Sequence, residues 1–306
     1  MTKRVVKYKI SLINFAKILW GIMLNYTESV GKIEILGKDE FNPKHILECG
    51  QFFRYKKING TDYEIVASNN IIKIVETKSG FTIFAKDNQF VKNLFNFDTD
   101  YAEIKKEIAE IKEVKDIVKV ANGLRIMHTD PFETVCSFII SQNNNIKRIK
   151  LIIEKLCKEA GTKIDSDHFA FPTIEQMGKL DVEFFRSIGA GYRAKYLAEV
   201  SSSFKNLLSV DTEKLSTEEL RGRLLKILGV GRKVADCILL FAYNRMDVFP
   251  VDVWMERVYL ENFLGKAKTR EKMSADLVKR FGQLSGYIQQ YLFYYKTVAE
   301  REGRLQ

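Results

Sequence analysis

LLKILGVGRKVADCILLFAYNRMDVFPVDV, residues 224–253, decides how this chain is read. Leu220, Leu224, Leu225 and Ile227 stripe the segment before its centre, and Val234, Cys237, Ile238 and Phe241 stripe the segment after it. Two amphipathic helices therefore flank the turn Gly229-Val230-Gly231. Glycines at 229 and 231 permit a tight reversal and close backbone approach to a partner. A helix-hairpin-helix of this kind offers unpaired backbone N–H groups at the start of its second helix, a setting that suits phosphate. Lys233 stands in the first turn of that helix among apolar neighbours, where lysine is unusual. Asp252 follows Pro250-Val251 beyond the helix.

Outward from this stretch the chain reads as helical back to about Asp98. Tyr101, Ile104, Ile108 and Ile111 form one stripe. Phe132, Val135, Cys136, Ile139 and Ile140 form a second, and Ile149, Ile152, Ile153 and Leu156 a third. Asp130-Pro131 marks a helix start, and Ser141 to Asn145 interrupts the pattern. Thr173 with Gln176 and Ser216 with Glu219 predict capping boxes. From about Gly31 to Asp98 the period is two instead. Lys32 to Leu36, Tyr63 to Ile65, Ile72 to Ile74 and Phe81 to Ile83 alternate, with turns at Asn59-Gly60, Asn69-Asn70 and Ser79-Gly80. A short helix is expected over Asn42 to Leu47, followed by Glu48-Cys49-Gly50-Gln51-Phe52-Phe53-Arg54.

The fold class is α+β: an N-terminal antiparallel β-sheet domain (27–118) leads into a mainly α-helical domain (119–306), preceded by an N-terminal extension (1–26). In the opening MTKRVVKYKISLINFAKILWGIML, Lys7, Lys9 and Lys17 interrupt the apolar run, and no small-residue cleavage site follows. It reads as an amphipathic extra helix, or as sequence upstream of a start at Met23, and not as a signal peptide or membrane span.

Composition narrows the class of function. With 306 residues, 46% of them hydrophobic and 12% aromatic, the chain builds a substantial core. Lys plus Arg number 49 against 39 acidic residues, a formal charge of +10 and a pI near 9.2. A solvated basic surface or a polyanion-binding face both explain this, and a hairpin suited to phosphate favours the second. Cys49, Cys136, Cys157 and Cys237 are scattered, which points to reduced thiols in a cytosolic protein and away from zinc or iron–sulfur centres. Three dispersed histidines argue against a histidine metal site.

Lys233 and Asp252 together suggest chemistry. An ordinary lysine is charged at neutral pH, with a pKa of about 10.4. The positive end of a helix and apolar neighbours both favour the neutral, nucleophilic amine, so a lowered pKa is expected for Lys233. Asp252, placed as an N-cap, stays ionised and stabilises cationic charge on a sugar whose bond is breaking. Read separately, Lys233 is explained as a phosphate contact and Asp252 as a cap.

Ile227 to Asp252 resembles the helix-hairpin-helix DNA glycosylase superfamily in its Gly-Val-Gly hairpin, its lysine and its Pro-Val-Asp. Further segments resemble one branch, the 8-oxoguanine DNA glycosylase/lyase family. They are Gly50-Gln51-Phe52-Phe53-Arg54, Asp130-Pro131-Phe132-Glu133, Asn143-Asn144-Asn145-Ile146, Gly191-Tyr192-Arg193-Ala194, Lys233-Val234-Ala235-Asp236-Cys237 and Gly286-Tyr287-Ile288-Gln289. They occur in family order from about residue 27 to 300.

The resemblance implies that a nucleotide is flipped out of duplex DNA, that Lys233 attacks C1′ of its sugar and that Asp252 assists electrostatically. It implies that the Gly50 carbonyl accepts the N7–H of 8-oxoguanine, that Gln289 reads the Watson–Crick edge and that Phe293 and Cys237 cover the two faces of the base. Without it, Phe293 and Cys237 read equally well as core packing and Gly50 as a helix C-cap. Asn143 corresponds to the residue that fills the vacated stack and Tyr192 to the wedge. Arg148 and Arg193 correspond to the pair that grips the orphaned cytosine, although either alone reads as a solvated surface arginine. Gly229 and Gly231 approach the lesion strand. The carbonyls of Leu225, Ile227 and Val230 correspond to ligands of a structural cation, K+, Na+ or Ca2+. No cofactor is implied for catalysis. The expected partner is duplex DNA containing 8-oxoguanine, with no membrane contact, and the expected state is a cytoplasmic monomer, nucleoid-associated in a bacterium.

The sequence departs from the family pattern at Leu228, where the hairpin usually has proline, and at Trp254, where animal relatives have histidine; residues 1–26 have no counterpart. A branch acting on oxidised pyrimidines needs clustered C-terminal cysteines that are lacking here, since Cys237 is the last. Adenine-mismatch and alkylated-base enzymes do not need Lys233. A non-catalytic DNA-holding hairpin explains the charge and Gly229-Gly231, but not Lys233, Asp252, Gly50 and Gln289 together.

Overall fold

Alternation in the N-terminal part becomes a one-faced sheet in the computed structural model, which describes residues 24–299; most of the predicted extension lies outside those residues. Strands β1 (Tyr26–Ser29), β2 (Lys32–Leu36), β3 (Tyr55–Lys57), β4 (Tyr63–Ala67), β5 (Asn70–Glu76) and β6 (Gly80–Phe84) are ordered β1-β2-β6-β5-β4-β3, with every neighbour antiparallel. The register places Ile33 opposite Ile83, Ile83 opposite Ile74, and Ile74 opposite Tyr63. All four side chains are buried in one ladder. Each such burial contributes about 1.5–3 kcal/mol, and a one-residue slip would turn the whole row to solvent, so the isoleucines fix the register.

Helices α1 (Pro43–Leu47) and α2 (Asn88–Leu94) cover this face, with Phe41, Ile46, Leu47, Val91, Leu94, Phe95 and Phe97 completing the core. Asn42 caps α1, accepting from the amides of Lys44 and His45.

The remaining helices are α3 (Tyr101–Glu110), α4 (Ile117–Val120), α5 (Pro131–Ser141), α6 (Ile146–Ala160), α7 (Ile174–Met177), α8 (Val182–Ser187), α9 (Ala194–Leu208), α10 (Thr217–Leu224), α11 (Arg232–Ala242), α12 (Val253–Glu261), α13 (Arg270–Phe281) and α14 (Ser285–Tyr294). Both predicted capping boxes form, at Thr173/Gln176 and Ser216/Glu219. The helices divide between two cores. One is built by α5 to α11. The other joins α3 and α4 to α12, α13 and α14, so the chain returns at its end to pack on its first long helix. It passes from one core to the other between Val248 and Phe249, just before Asp252.

Arg125, fully buried, ties these parts together. Its guanidinium lies 4.2 Å from the Tyr101 ring centroid and donates to the carbonyls of Phe95 (2.9 Å), Glu40 (3.2 Å) and Thr99 (3.1 Å). Gln51 then bonds the same segment from the other side. Its Nε2 donates to Arg125 O (2.9 Å) and Ile46 O (2.7 Å), and its Oε1 accepts from Met127 N–H (2.9 Å). The loop between α1 and β3, which carries Gly50, is thereby fixed against the helices.

Candidate active site

Gly229 adopts φ +86°, and a methyl group there would sit 2.6 Å from the Tyr196 ring. Both conformation and space thus demand glycine at the hairpin. Gly231 begins α11 without a side-chain cap, in open space, which leaves the first amides of the helix facing outward. One residue into the helix, Lys233 is half-buried, with its Nζ 5.3 Å from the centroid of Phe138. Phe138 is itself stacked on Phe241.

The amine bonds the thiol of Cys237, one helical turn on, and faces Asp252. Burial pulls the lysine toward its neutral form, but Cys237 and Asp252 together outweigh it, and the pKa lies above the ordinary lysine value. This corrects the expectation of a lowered pKa: helix position and apolar neighbours argue for a neutral amine, whereas Cys237, one turn along the same helix, and then the Asp252 carboxylate reverse the balance. Burial pushes the Cys237 thiol up to about 11, so it is uncharged at neutral pH. The resting site therefore holds an ammonium beside a neutral thiol.

Asp252 caps α12, its Oδ1 accepting from the amides of Trp254 (3.0 Å) and Met255 (2.9 Å). Pro250, two residues earlier, offers its carbonyl to Nε2 of Gln289 at 3.4 Å. Gln289 is 5% exposed, and its Oε1 is buried without a hydrogen-bond partner. A buried orphan acceptor is costly, so this oxygen is suited to a ligand's N–H.

Phe293 lies one turn further along α14, on the same face. Gly50 meets it, since a methyl on Gly50 would lie 3.5 Å from Cε1 of Phe293. Gly50 has φ +78° and is not the C-cap of α1, which is Glu48. A continuous path thus runs from Gly50 through Phe293, Gln289, Pro250 and Asp252 to Lys233 and Cys237.

The expected DNA-facing residues gather around the break between α5 and α6. Asn143 is exposed at φ +46°, and Tyr192 is 53% exposed. Arg193 is buried, donating to the carbonyls of Gln142 (Nε, 2.9 Å), Asn143 (Nη2, 3.0 Å) and Ala190 (Nη1, 3.3 Å). In this conformation its guanidinium is committed to the protein. Arg148 is exposed, with Nη2 donating to Gly189 O at 3.2 Å.

The residue that joins these parts is Gln142, to which the sequence pattern gives no role. Its carbonyl also accepts from Tyr192 OH (3.2 Å), while its side chain donates to Gly229 O (2.8 Å) in the hairpin. In that hairpin Ile227 O accepts one N–H, from Val230 at 2.9 Å, which leaves a lone pair free and fits a carbonyl ligand.

A flanking sheet, a glycine hairpin presenting backbone amides and a half-buried lysine opposite an aspartate define a helix-hairpin-helix DNA glycosylase. Residues 35–135 match the family described as 8-oxoguanine DNA glycosylase, N-terminal domain, and residues 136–283 match the HhH-GPD superfamily base excision DNA repair protein. The chain belongs to the 8-oxoguanine DNA glycosylase/lyase family of bifunctional enzymes.

It is 31% identical to the probable N-glycosylase/DNA lyase of Methanothermobacter thermautotrophicus, over 64% of this chain and 70% of that protein. It is 33% identical to the N-glycosylase/DNA lyase of Saccharomyces cerevisiae, and the match spans 56% of this chain and 56% of the yeast protein's length. Among solved structures, the Clostridium acetobutylicum 8-oxoguanine glycosylase/lyase in complex with double-stranded DNA containing cytosine opposite 8-oxoguanine superposes with a TM-score of 0.83. That chain is 31% identical, with 92% of this chain and 99% of that one covered.

Proposed function

We propose that this protein removes 8-oxoguanine opposite cytosine from duplex DNA and then nicks the strand, through a Schiff base on Lys233. The observation that carries the reading is the path joining Gly50, Phe293 and Gln289 to Asp252, Lys233 and Cys237. It brings the groups that would read a base together with the nucleophile.

The N7–H of 8-oxoguanine donates to Gly50 O, where guanine has only a lone pair. Gln289 Oε1, which lacks a partner, accepts from the Watson–Crick edge, and the base lies between Phe293 and Cys237. The Lys233 ammonium gives up a proton before the amine's lone pair forms the C–N bond at C1′. As the bond to the base breaks, the base leaves with the electron pair and takes up a proton. Asp252 stabilises the cationic sugar. Opening of the sugar ring gives the iminium, and loss of a C2′ proton then expels the 3′ phosphate.

Asn143 occupies the vacated stack, Tyr192 wedges beside it, and Arg148 and Arg193 hold the orphaned cytosine once Arg193 exchanges its carbonyl partners for the base. Gly229 and Gly231 let the lesion strand approach the α11 amides. The carbonyls of Leu225, Ile227 and Val230 would hold a K+, Na+ or Ca2+ ion, which supplies positive charge toward a phosphate.

Four free buried cysteines suit the reducing cytoplasm. Among the described residues no helix is long and apolar enough to cross a membrane. Excision from duplexes with C, A, G or T opposite the lesion tests the reading: release is fastest opposite C, and equal release opposite all four contradicts the role of the arginines.

A further inference from the structure

The loop that carries Gly50 is anchored at its far end by Arg54. The backbone carbonyl of Arg54 accepts from Val66 N–H at 3.0 Å, and its Nη2 bonds the carbonyl of Phe169. Its Nη1 lies 3.7 Å from Oε2 of Glu133, with both side chains less than a tenth exposed. This pair is only half satisfied, because Arg54 Nη1 and Glu133 Oε1 are both buried without a hydrogen-bond partner. It also has room on both sides: Arg54 lines a cavity of about 620 Å³, and Glu133 lines another of about 510 Å³.

A buried ion pair left incomplete is weak evidence for stability, which leaves it open to another role. Glu133 sits in the first turn of α5. The same helix carries Phe138, the ring beneath the Lys233 amine, one to two turns further on. Through Arg54 at one end and Phe138 at the other, α5 touches both the base-reading loop and the nucleophile.

We infer that Glu133 is a positioning residue for base selection, acting through Arg54 to set the Gly50 carbonyl against the flipped base, and that it is not needed for the lyase step. The inference rests on the proposed role of Gly50. An abasic site has no base to read, so nicking of abasic DNA uses Lys233 and Asp252 without Gly50. Excision of 8-oxoguanine uses all three. The ratio of the two rates isolates the positioning effect, because the protonation of Lys233 is common to both.

The groups around Glu133 are Arg54 from the loop, Asp130 at the cap of its own helix, Cys136 one turn on, Cys157 from α6, and His128 on the wall of the smaller cavity. Burial pushes the Glu133 carboxyl up to about 7, against the opposing pull of Arg54. Ionised Glu133 attracts Arg54 and the protonated acid does not, so the excision-to-nicking ratio falls as pH drops through about 7.

The test measures both rates on the whole protein across this range, for wild type and for Glu133→Gln. In wild type the ratio declines on the acid side. In Glu133→Gln it is low and flat, down by about tenfold, as expected when a close charge attraction is removed, while abasic-site nicking is retained. Arg54→Lys, which keeps the charge but not the fork, lowers the ratio in the same direction. A ratio independent of pH in wild type, which requires no variant to fold, overturns the inference, as does parallel loss of both activities in Glu133→Gln. Failure of wild type to nick abasic DNA instead overturns the lyase reading itself.

Discussion

The side-chain amide of Gln142 donates to the carbonyl of Gly229 at 2.8 Å, joining the loop that carries Asn143 to the glycine hairpin. One residue thus links the part of the site expected to fill the DNA stack to the part expected to hold the lesion strand. Its own carbonyl anchors Tyr192 and Arg193. A single hydrogen bond contributes a net of about 0.5–1.5 kcal/mol. Gln142→Ala should therefore raise the KM for lesion duplex by up to about tenfold, with the melting temperature little changed. Steady-state kinetics on 8-oxoguanine duplexes check this, and an unchanged KM would remove Gln142 from the DNA-binding apparatus.

Gly229→Ala should be far more damaging to the fold. The backbone there is left-handed, and the new methyl would press on the ring of Tyr196. Backbone strain of this kind costs about 1–3 kcal/mol, before any clash. Thermal melting should show a clear loss of stability, and gel-shift titration a loss of affinity for abasic duplex. Wild-type stability in the variant would mean that the hairpin tolerates a side chain.

Much of this was legible in sequence because it is local or periodic. The isoleucine ladder declares itself by alternation, and the caps at Thr173, Ser216 and Asp252 by residue type. The two outer strands were not legible. β1 reads YTES and β3 YKK, with polar residues that keep exposed edges from pairing with other chains and leave no alternation to detect. Helix α2 buries only Val91 and Leu94, too little for a stripe. Arg125 and Gln142 act through backbone carbonyls far along the chain, which no residue pattern announces. The raised pKa that sets the charge state of Lys233 combines Cys237, one helical turn away, with Asp252, whose approach depends on tertiary placement.

That charge state gives a pH prediction. The Lys233 pKa is raised, so below it only a minority of molecules carry the neutral amine, and that fraction grows about tenfold per pH unit. Nicking of abasic DNA should rise with pH into the alkaline range. Asp252 is one of the two groups that raise the pKa, so Asp252→Asn should shift the rising limb to lower pH even as the maximal rate falls. Single-turnover rates across pH test this, and a limb unmoved by the substitution would mean that Asp252 does not act on the amine.

The central claim is that Lys233 forms a covalent bond to the sugar, and borohydride trapping tests it most directly. With duplex containing 8-oxoguanine opposite cytosine, wild-type protein should give a stable protein–DNA adduct, and Lys233→Gln should give none. No adduct from wild type, or an undiminished adduct from Lys233→Gln, would contradict the account.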